Sequence, residues 1–309
     1  MKNFDEIFEK IYNSSYQELE NARKEAKKKS NRIILIALGI FIVLSLIILY
    51  LGGFSFHSLF FLVFTGIMSY VVALIIMMFT SQNSYNKIYK NTVIKTLVKE
   101  YDNGLDYDQN SSIPAYIYKE AQFEGYDNYY SDDLIYGKLE NKIPIQLGDV
   151  RTEDESTDSD GNTTTTTVFR GLFSKATLNQ NINTIIKIRS DKGLMGKFFK
   201  NKELMQMDSQ EFEKKFDVYT QNKIIAMQIL TSDILDYMLT FKNENKVNFE
   251  LTLKNQELYT RIHCQNMFEA TSIRKDSLDK KAIQMYYKYL DFMCELNKKF
   301  YNVIEEKNI

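Results

Sequence analysis

The chain has 309 residues, and 39 Lys and Arg against 40 Asp and Glu leave a formal net charge of -1. That balance argues against a dedicated nucleic-acid binder, which carries a basic excess. Two Cys and two His supply neither a disulfide framework, nor a four-Cys zinc site, nor a His-rich centre, so no cofactor and no metal set is expected.

Residues 4–29 read as an amphipathic helix. Phe4, Ile7, Phe8, Ile11, Tyr12, Ser15, Tyr16 and Leu19 follow i, i+3, i+4 spacing, with Glu6, Glu9, Lys10, Gln17 and Glu18 opposite. Such a face packs on another part of the chain or on a second copy. The acidic residues opposite disfavour an interfacial membrane helix, whose polar face is usually basic. The basic run RKEAKKKSNR follows, and Lys27, Lys28, Lys29 and Arg32 are candidates for contact with anionic headgroups.

Residues 33–51 and 59–79 contain no charged side chain. Each run, at about 20 residues and 1.5 Å per residue, spans roughly 30 Å, the thickness of a hydrocarbon core. The link between them is short and uncharged, so the two spans form an antiparallel hairpin. The first run is too long and lies too deep for a signal-peptide core. Lys and Arg flank the outer ends of both spans (Arg23 to Arg32, then Lys87, Lys90, Lys95 and Lys99), and the link has none. The positive-inside rule therefore predicts a cytoplasmic-membrane protein with two spans and both termini cytoplasmic. Neither span holds an ionisable group, which disfavours a channel or transporter.

Tyr85, Ile88, Tyr89, Ile94, Leu97, Val98 and Tyr101 form a further helical stripe, ended by Asn103-Gly104. A short helix is expected over 114–121. The period then changes to two. Strands are expected over 134–139 and 143–153, with a bulge at Gly148. The acidic stretch EDESTDSDGN reads as a hairpin tip turned by Asp160-Gly161-Asn162. Strands over 163–177 and 182–188 complete an antiparallel meander. Asp208 is the expected cap of a helix whose Glu211 completes a capping box. Helices are expected over 222–230 and 232–241, and 247–253 with 257–264 reads as a second hairpin. A last helix over 277–305 carries Ile283, Tyr286, Leu290, Met293, Leu296 and Phe300 on one face.

The fold class is thus α+β: a two-helix transmembrane hairpin followed by a cytosolic domain of antiparallel strands packed with helices. The expected divisions are an N-terminal helix (1–32), the hairpin (33–80), a juxtamembrane helical segment (81–130) and the α+β domain (131–309).

The phrases VFRGLFSKATLN, EFEKKFDVYTQN, AMQILT and ELYTRI, together with this layout, resemble the bacterial domain-of-unknown-function family 3137. The resemblance implies a helical N-terminus, two spans and a cytosolic domain. It transfers no activity and no catalytic residue.

No phosphate loop, HExxH, GxSxG or CxxC is present. A calcium loop from Ser156, Asp158, Asp160 and Gly161 would need a bidentate Glu where Thr167 stands, so the stretch reads as a solvated tip. His263 and Cys264 are adjacent on a strand and point to opposite faces, a poor nucleophile pair. Acidic pairs such as Asp132-Asp133 read as surface groups. The segment KIRSDKGLMGKFFKNK offers Lys197, Phe198 and Phe199 as further candidates for membrane-surface contact.

The function expected is a membrane-tethered interaction or scaffold module without catalytic activity. The alternative is a lipid- or ligand-sensing domain anchored by the hairpin. The expected partners are the lipid bilayer and an unidentified protein or a second copy, and no nucleic acid.

Overall fold

The first apolar run does not start a new helix. In the computed structural model, which describes residues 3–53, 55–77, 81–190, 203–265 and 267–307, helix α1 (Phe4–Gly52) continues unbroken from the amphipathic segment into that run. Its 49 residues extend roughly 74 Å. The two halves bury different things. In the first, Ile7, Ile11, Ser15, Leu19, Ala26 and Ser30 form one buried row. Tyr12 and Tyr16, expected on the packed face, lie outside it and stack on each other at 4.7 Å. In the second half Leu35, Ile36, Leu38, Val43 and Leu46 face outward.

Helix α2 (Phe56–Met77) returns alongside α1, with Ile76 near Ile33 and Thr65 near Leu44. These two helices are long and apolar enough to cross a membrane. Helix α3 (Asn83–Tyr89), a π-helical turn (Lys90–Ile94) and helix α4 (Lys95–Tyr101) follow.

The chain divides into two compact units. Among the described residues, one comprises 5–96 with 269–283, the other 3–4, 97–268 and 284–307. In the first, the loop 269–283 is stitched to α1 and α3. Arg23 donates to the Ile273 carbonyl at 3.2 Å, Gln82 exchanges bonds with Thr271 and Ile273 at 3.3 Å, and Tyr85 donates to the Ser277 carbonyl at 3.2 Å. Lys90 pairs with Glu269 at 2.7 Å, and Lys280 reaches Asp5 at 2.8 Å.

The second unit is built on an antiparallel sheet. Its strands are β1 (Leu105–Asp108), β2 (Asn128–Leu139), β3 (Ile143–Thr157), β4 (Thr163–Thr177), β5 (Ile185–Ser190), β6 (Leu204–Met205), β7 (Phe216–Thr220), β8 (Phe249–Lys254) and β9 (Glu257–His263). The order is β1-β2-β3-β4-β9-β8-β5-β7-β6, with every pairing antiparallel. The expected meander is therefore interrupted. It holds from β1 to β4, and then the late hairpin β8–β9 inserts between β4 and β5. Strand β4 is buried on both faces from Gly171 to Ser174; β9 pairs with it from Gly171 to Thr177, and β5 pairs with β8 instead.

Two local expectations are also corrected. The ladder is regular through Gly148, which pairs with Phe173, and the register shifts fall instead at Asp132/Ile135 and Thr152/Glu153. Gly148 serves close approach: a Cβ there would meet the Asp132 carbonyl at 3.1 Å. The cap of α6 (Gln210–Glu213) is Ser209, which accepts from the Phe212 amide, rather than Asp208.

Helices cover both faces. Helix α5 (Ala115–Glu120) lies on the face that carries Phe169, Phe173, Tyr259 and Arg261. Helices α8 (Ser232–Asn245) and α9 (Lys280–Lys307) lie on the other, where Phe241 and Phe292 stack at 3.6 Å over Phe249. Helix α7 (Lys223–Ile229), capped by Asn222, precedes α8. The α+β class, a pair of apolar helices followed by an antiparallel sheet packed with helices, is the observed architecture.

Candidate functional site

Lys27, Lys28, Lys29 and Arg32 all point outward from α1, just before its apolar half. None has a carboxylate partner among the described residues. Lys197, Phe198 and Phe199 lie outside the described residues. The acidic hairpin tip is a turn whose own backbone uses the carboxylate: Asp158 accepts from the amides of Asp160 and Asn162 at 3.0 and 2.9 Å.

The densest polar arrangement is one the sequence reading missed. Strands β8 and β9 are joined by a two-residue turn at Asn255-Gln256, so Lys254 faces Glu257 and, four steps on, Glu250 faces Arg261. Both are buried on the α5 side of the sheet. Arg261 donates to Glu250 at 2.7 Å and to the Tyr118 hydroxyl at 2.8 Å, and it also contacts Glu124. Its guanidinium lies between the Phe123 ring, 4.2 Å away, and the Phe169 ring, 5.0 Å away. His263 stands edge-on to Phe169 at 5.0 Å, with Nε2 3.9 Å from Glu250. Around this group Tyr118 touches Phe123, Tyr126, Tyr129, Phe169 and Phe173.

Burial alone would raise the Glu250 pKa, but contacts with His263 and Arg261 outweigh it and hold the carboxyl below the ordinary range. Burial works against the Arg261 charge, and Glu250, Tyr118 and Glu124 more than offset it. Tyr259 completes the edge, donating to Glu120 at 3.1 Å. The Arg261 and Glu250 side chains are each 1% exposed, so the pair is sealed from solvent. Arg261 Nε has no partner among the described atoms. The arrangement locks α5 onto the sheet.

The sequence signal was available. Opposite charges at equal distances from a hairpin turn are cross-strand partners.

Asp132-Asp133 is not a surface pair. The register shift after Asp132 puts Asp133 in a left-handed conformation (φ 58°), and its side chain turns inward, 1% exposed, onto the Tyr107 hydroxyl. Asp132 sits directly across from Asp149. Burial, aided by the Asp132 charge, pushes the Asp149 pKa up to about 7, although its carboxylate accepts from the Met267 amide at 3.2 Å. Burial also raises Asp291 to about 6; Tyr101 donates to it at 3.1 Å. Both thiols are free, and burial raises both, Cys264 up to about 12. They are thiols at neutral pH, not nucleophilic thiolates.

Residues 167–301 match the family model described as Protein of unknown function (DUF3137). The DUF3137 match runs from β4 to α9 and contains Phe169, Phe173, Glu250, Tyr259, Arg261 and His263. The resemblance expected from VFRGLFSKATLN and ELYTRI therefore holds over this stretch. No curated protein matches the chain. Among solved structures, the crystal structure of the mycobacterial trehalose monomycolate transport factor A, TtfA, is 10% identical, with a TM-score of 0.36, covering 71% of this chain and 93% of that one. At that TM-score the likeness carries no argument here. With two helices fit to cross a bilayer and a DUF3137 stretch, the chain has the make-up of a membrane-anchored protein of the α+β class.

Proposed function

We propose that this chain is a non-catalytic interaction module, anchored in the cytoplasmic membrane with both termini cytoplasmic, whose α+β domain docks a protein partner. The observation that carries this reading is a cluster of apolar side chains at the β6 end of the sheet that is exposed among the described residues. Ile224 and Met227 on α7 are 72% and 52% exposed. Met227 lines a recess of about 260 Å³ together with Met205, Met207, Leu230 and Leu235, rimmed by Asp208, Ser209, Ser232 and Asp236. Clustered exposed apolar groups mark interaction surfaces, and Met adapts its packing to a partner.

Three further features support the reading. Lys and Arg flank the outer ends of the hairpin and are missing from the loop at 52–58, the pattern of a cytoplasmic-facing bulk. The buried Arg261–Glu250 pair is closed to substrate. The two thiols are held protonated by burial.

The test is a photo-crosslinking residue at position 224 of the full chain in native membranes. A discrete crosslink to another protein, abolished by Met227→Glu, is the expected outcome. Self-crosslinks alone, or none, would overturn the docking reading. Topology is checked separately: a Cys introduced at Ser55 should react with an impermeant maleimide from outside intact cells, and one at Ser14 should not.

A further inference from the structure

We propose that the membrane hairpin carries a binding site for one anionic glycerophospholipid, with the acyl chain in the groove between α1 and α2 and the headgroup on Arg274. The site goes beyond the docking role above and rests on the hairpin lying in a bilayer.

All parts of the site belong to the unit formed by residues 5–96 and 269–283. Two grooves flank the crossing of α1 and α2. One, of about 440 Å³, is lined by apolar side chains with Thr65 and Ser69 and has no charged neighbour. The other, of about 260 Å³, runs along Leu38, Phe41, Gly66 and Tyr70 to Met77 and ends at Arg274. Gly66 forms its floor: a Cβ there would meet the Phe41 ring at 3.1 Å. From Gly66 to Met77 the α2 wall rises roughly 16 Å. A volume of about 260 Å³ along that length suits an extended chain and is too small for a helix of about 10 Å diameter.

Arg274 is held in place by its backbone. Ile273 beside it is buried, its carbonyl accepts from Arg23, and its amide donates to Gln82. The Arg23 side chain is itself committed to Glu20, at 2.7 and 2.8 Å. The Arg274 side chain is exposed and has no carboxylate partner among the described residues. It sits at the same end of the hairpin as Ile34 and Met77, the end where α1 carries Arg32 and Lys27 to Lys29. A guanidinium matches phosphate oxygens in a bidentate fork. The added cations favour a headgroup with net negative charge over a zwitterionic one.

The chain has no Trp, so a single introduced Trp reports its own surroundings. The full-length protein is placed in phosphatidylcholine vesicles containing a fixed fraction of brominated phosphatidylglycerol or brominated phosphatidylcholine. Tyr70→Trp reads the Arg274 groove, and Val72→Trp reads the other groove at nearly the same depth. The expected result is about a fivefold preference for phosphatidylglycerol at Tyr70→Trp. Arg274→Gln should abolish it, Arg274→Lys should keep at least half, and Val72→Trp should show no preference. Equal quenching by the two lipids at position 70 overturns the proposal. So does a preference seen at both positions that survives Arg274→Gln and disappears when Lys27, Lys28 and Lys29 are changed to Gln, because that describes a charged surface rather than a site.

Discussion

The two faces of strand β9 are built from alternate residues of one short segment, yet they hold the fold by different means. On one face Tyr259, Arg261 and His263 enter a network of hydrogen bonds and ring contacts beneath α5. On the other, Leu258, Thr260 and Ile262 lie beneath α8 and α9 with Phe249, Leu251 and Leu253. The first face is specified by direction: Tyr259, Arg261 and Glu250 each have a named partner, and losing one leaves another stranded. The second is specified by volume, and tolerates any apolar shape that fills it.

The largest effect should come from stranding the guanidinium. Glu250→Ala leaves Arg261 with the partly exposed Glu124 as its remaining carboxylate, and should cost about 3–5 kcal/mol in chemical unfolding of the full chain. Changing both residues, Glu250→Leu with Arg261→Met, should recover more than half of that loss. If the double variant is as unstable as the single, the network holds more than a pair and the contrast between faces sharpens further.

Asp149 comes next. Its folded pKa, near 7, lies above the ordinary value near 4, so the folded state binds the proton more tightly. That stabilisation is fully present below about pH 4 and is lost as pH rises through 7; Asp291 adds the same sign with its value near 6. Asp149→Asn should flatten stability between pH 4 and 7 and add about 2 kcal/mol at pH 8. An unchanged slope would show that Asp149 is solvated.

On the apolar face, Phe292→Leu should cost about 1–1.5 kcal/mol in the same unfolding experiment. A loss as large as that of Glu250→Ala would erase the distinction. The smallest effect is Tyr259→Phe, which removes one hydroxyl bond to the partly exposed Glu120 and should cost about 0.5–1 kcal/mol.

The same contrast explains what could be read from residue order. Period made the uncharged runs in α1 and α2, the alternation in β3 and β4 and the stripe of α9 legible, but it placed Tyr12 and Tyr16 on a packed face they do not occupy. The cap of α6 fell one residue on from Asp208, at Ser209, whereas the turn at Asp160 to Asn162 was legible because its chemistry is local. The insertion of β8–β9 between β4 and β5 was not, because adjacency in a sheet is settled by long-range packing. Asp133 was misread because a single shift of register turned a surface position into a buried one. Arg261 was passed over as one charge on a strand. Its meaning depends on Glu250 across the hairpin and on Tyr118 and Phe123, which lie far back in the chain.

The hydrogen bond from Arg23 to Ile273 joins positions 250 residues apart. A ribosome adding roughly 5–20 residues per second needs about 12–50 s to travel that distance. For the later part of that interval, once α2 has been made, the hairpin can enter the bilayer, but the loop that pairs with Asp5 and Arg23 has not yet been made. The N-terminal half of α1 therefore lacks those loop partners until late in synthesis, and any product truncated before the loop would never acquire them.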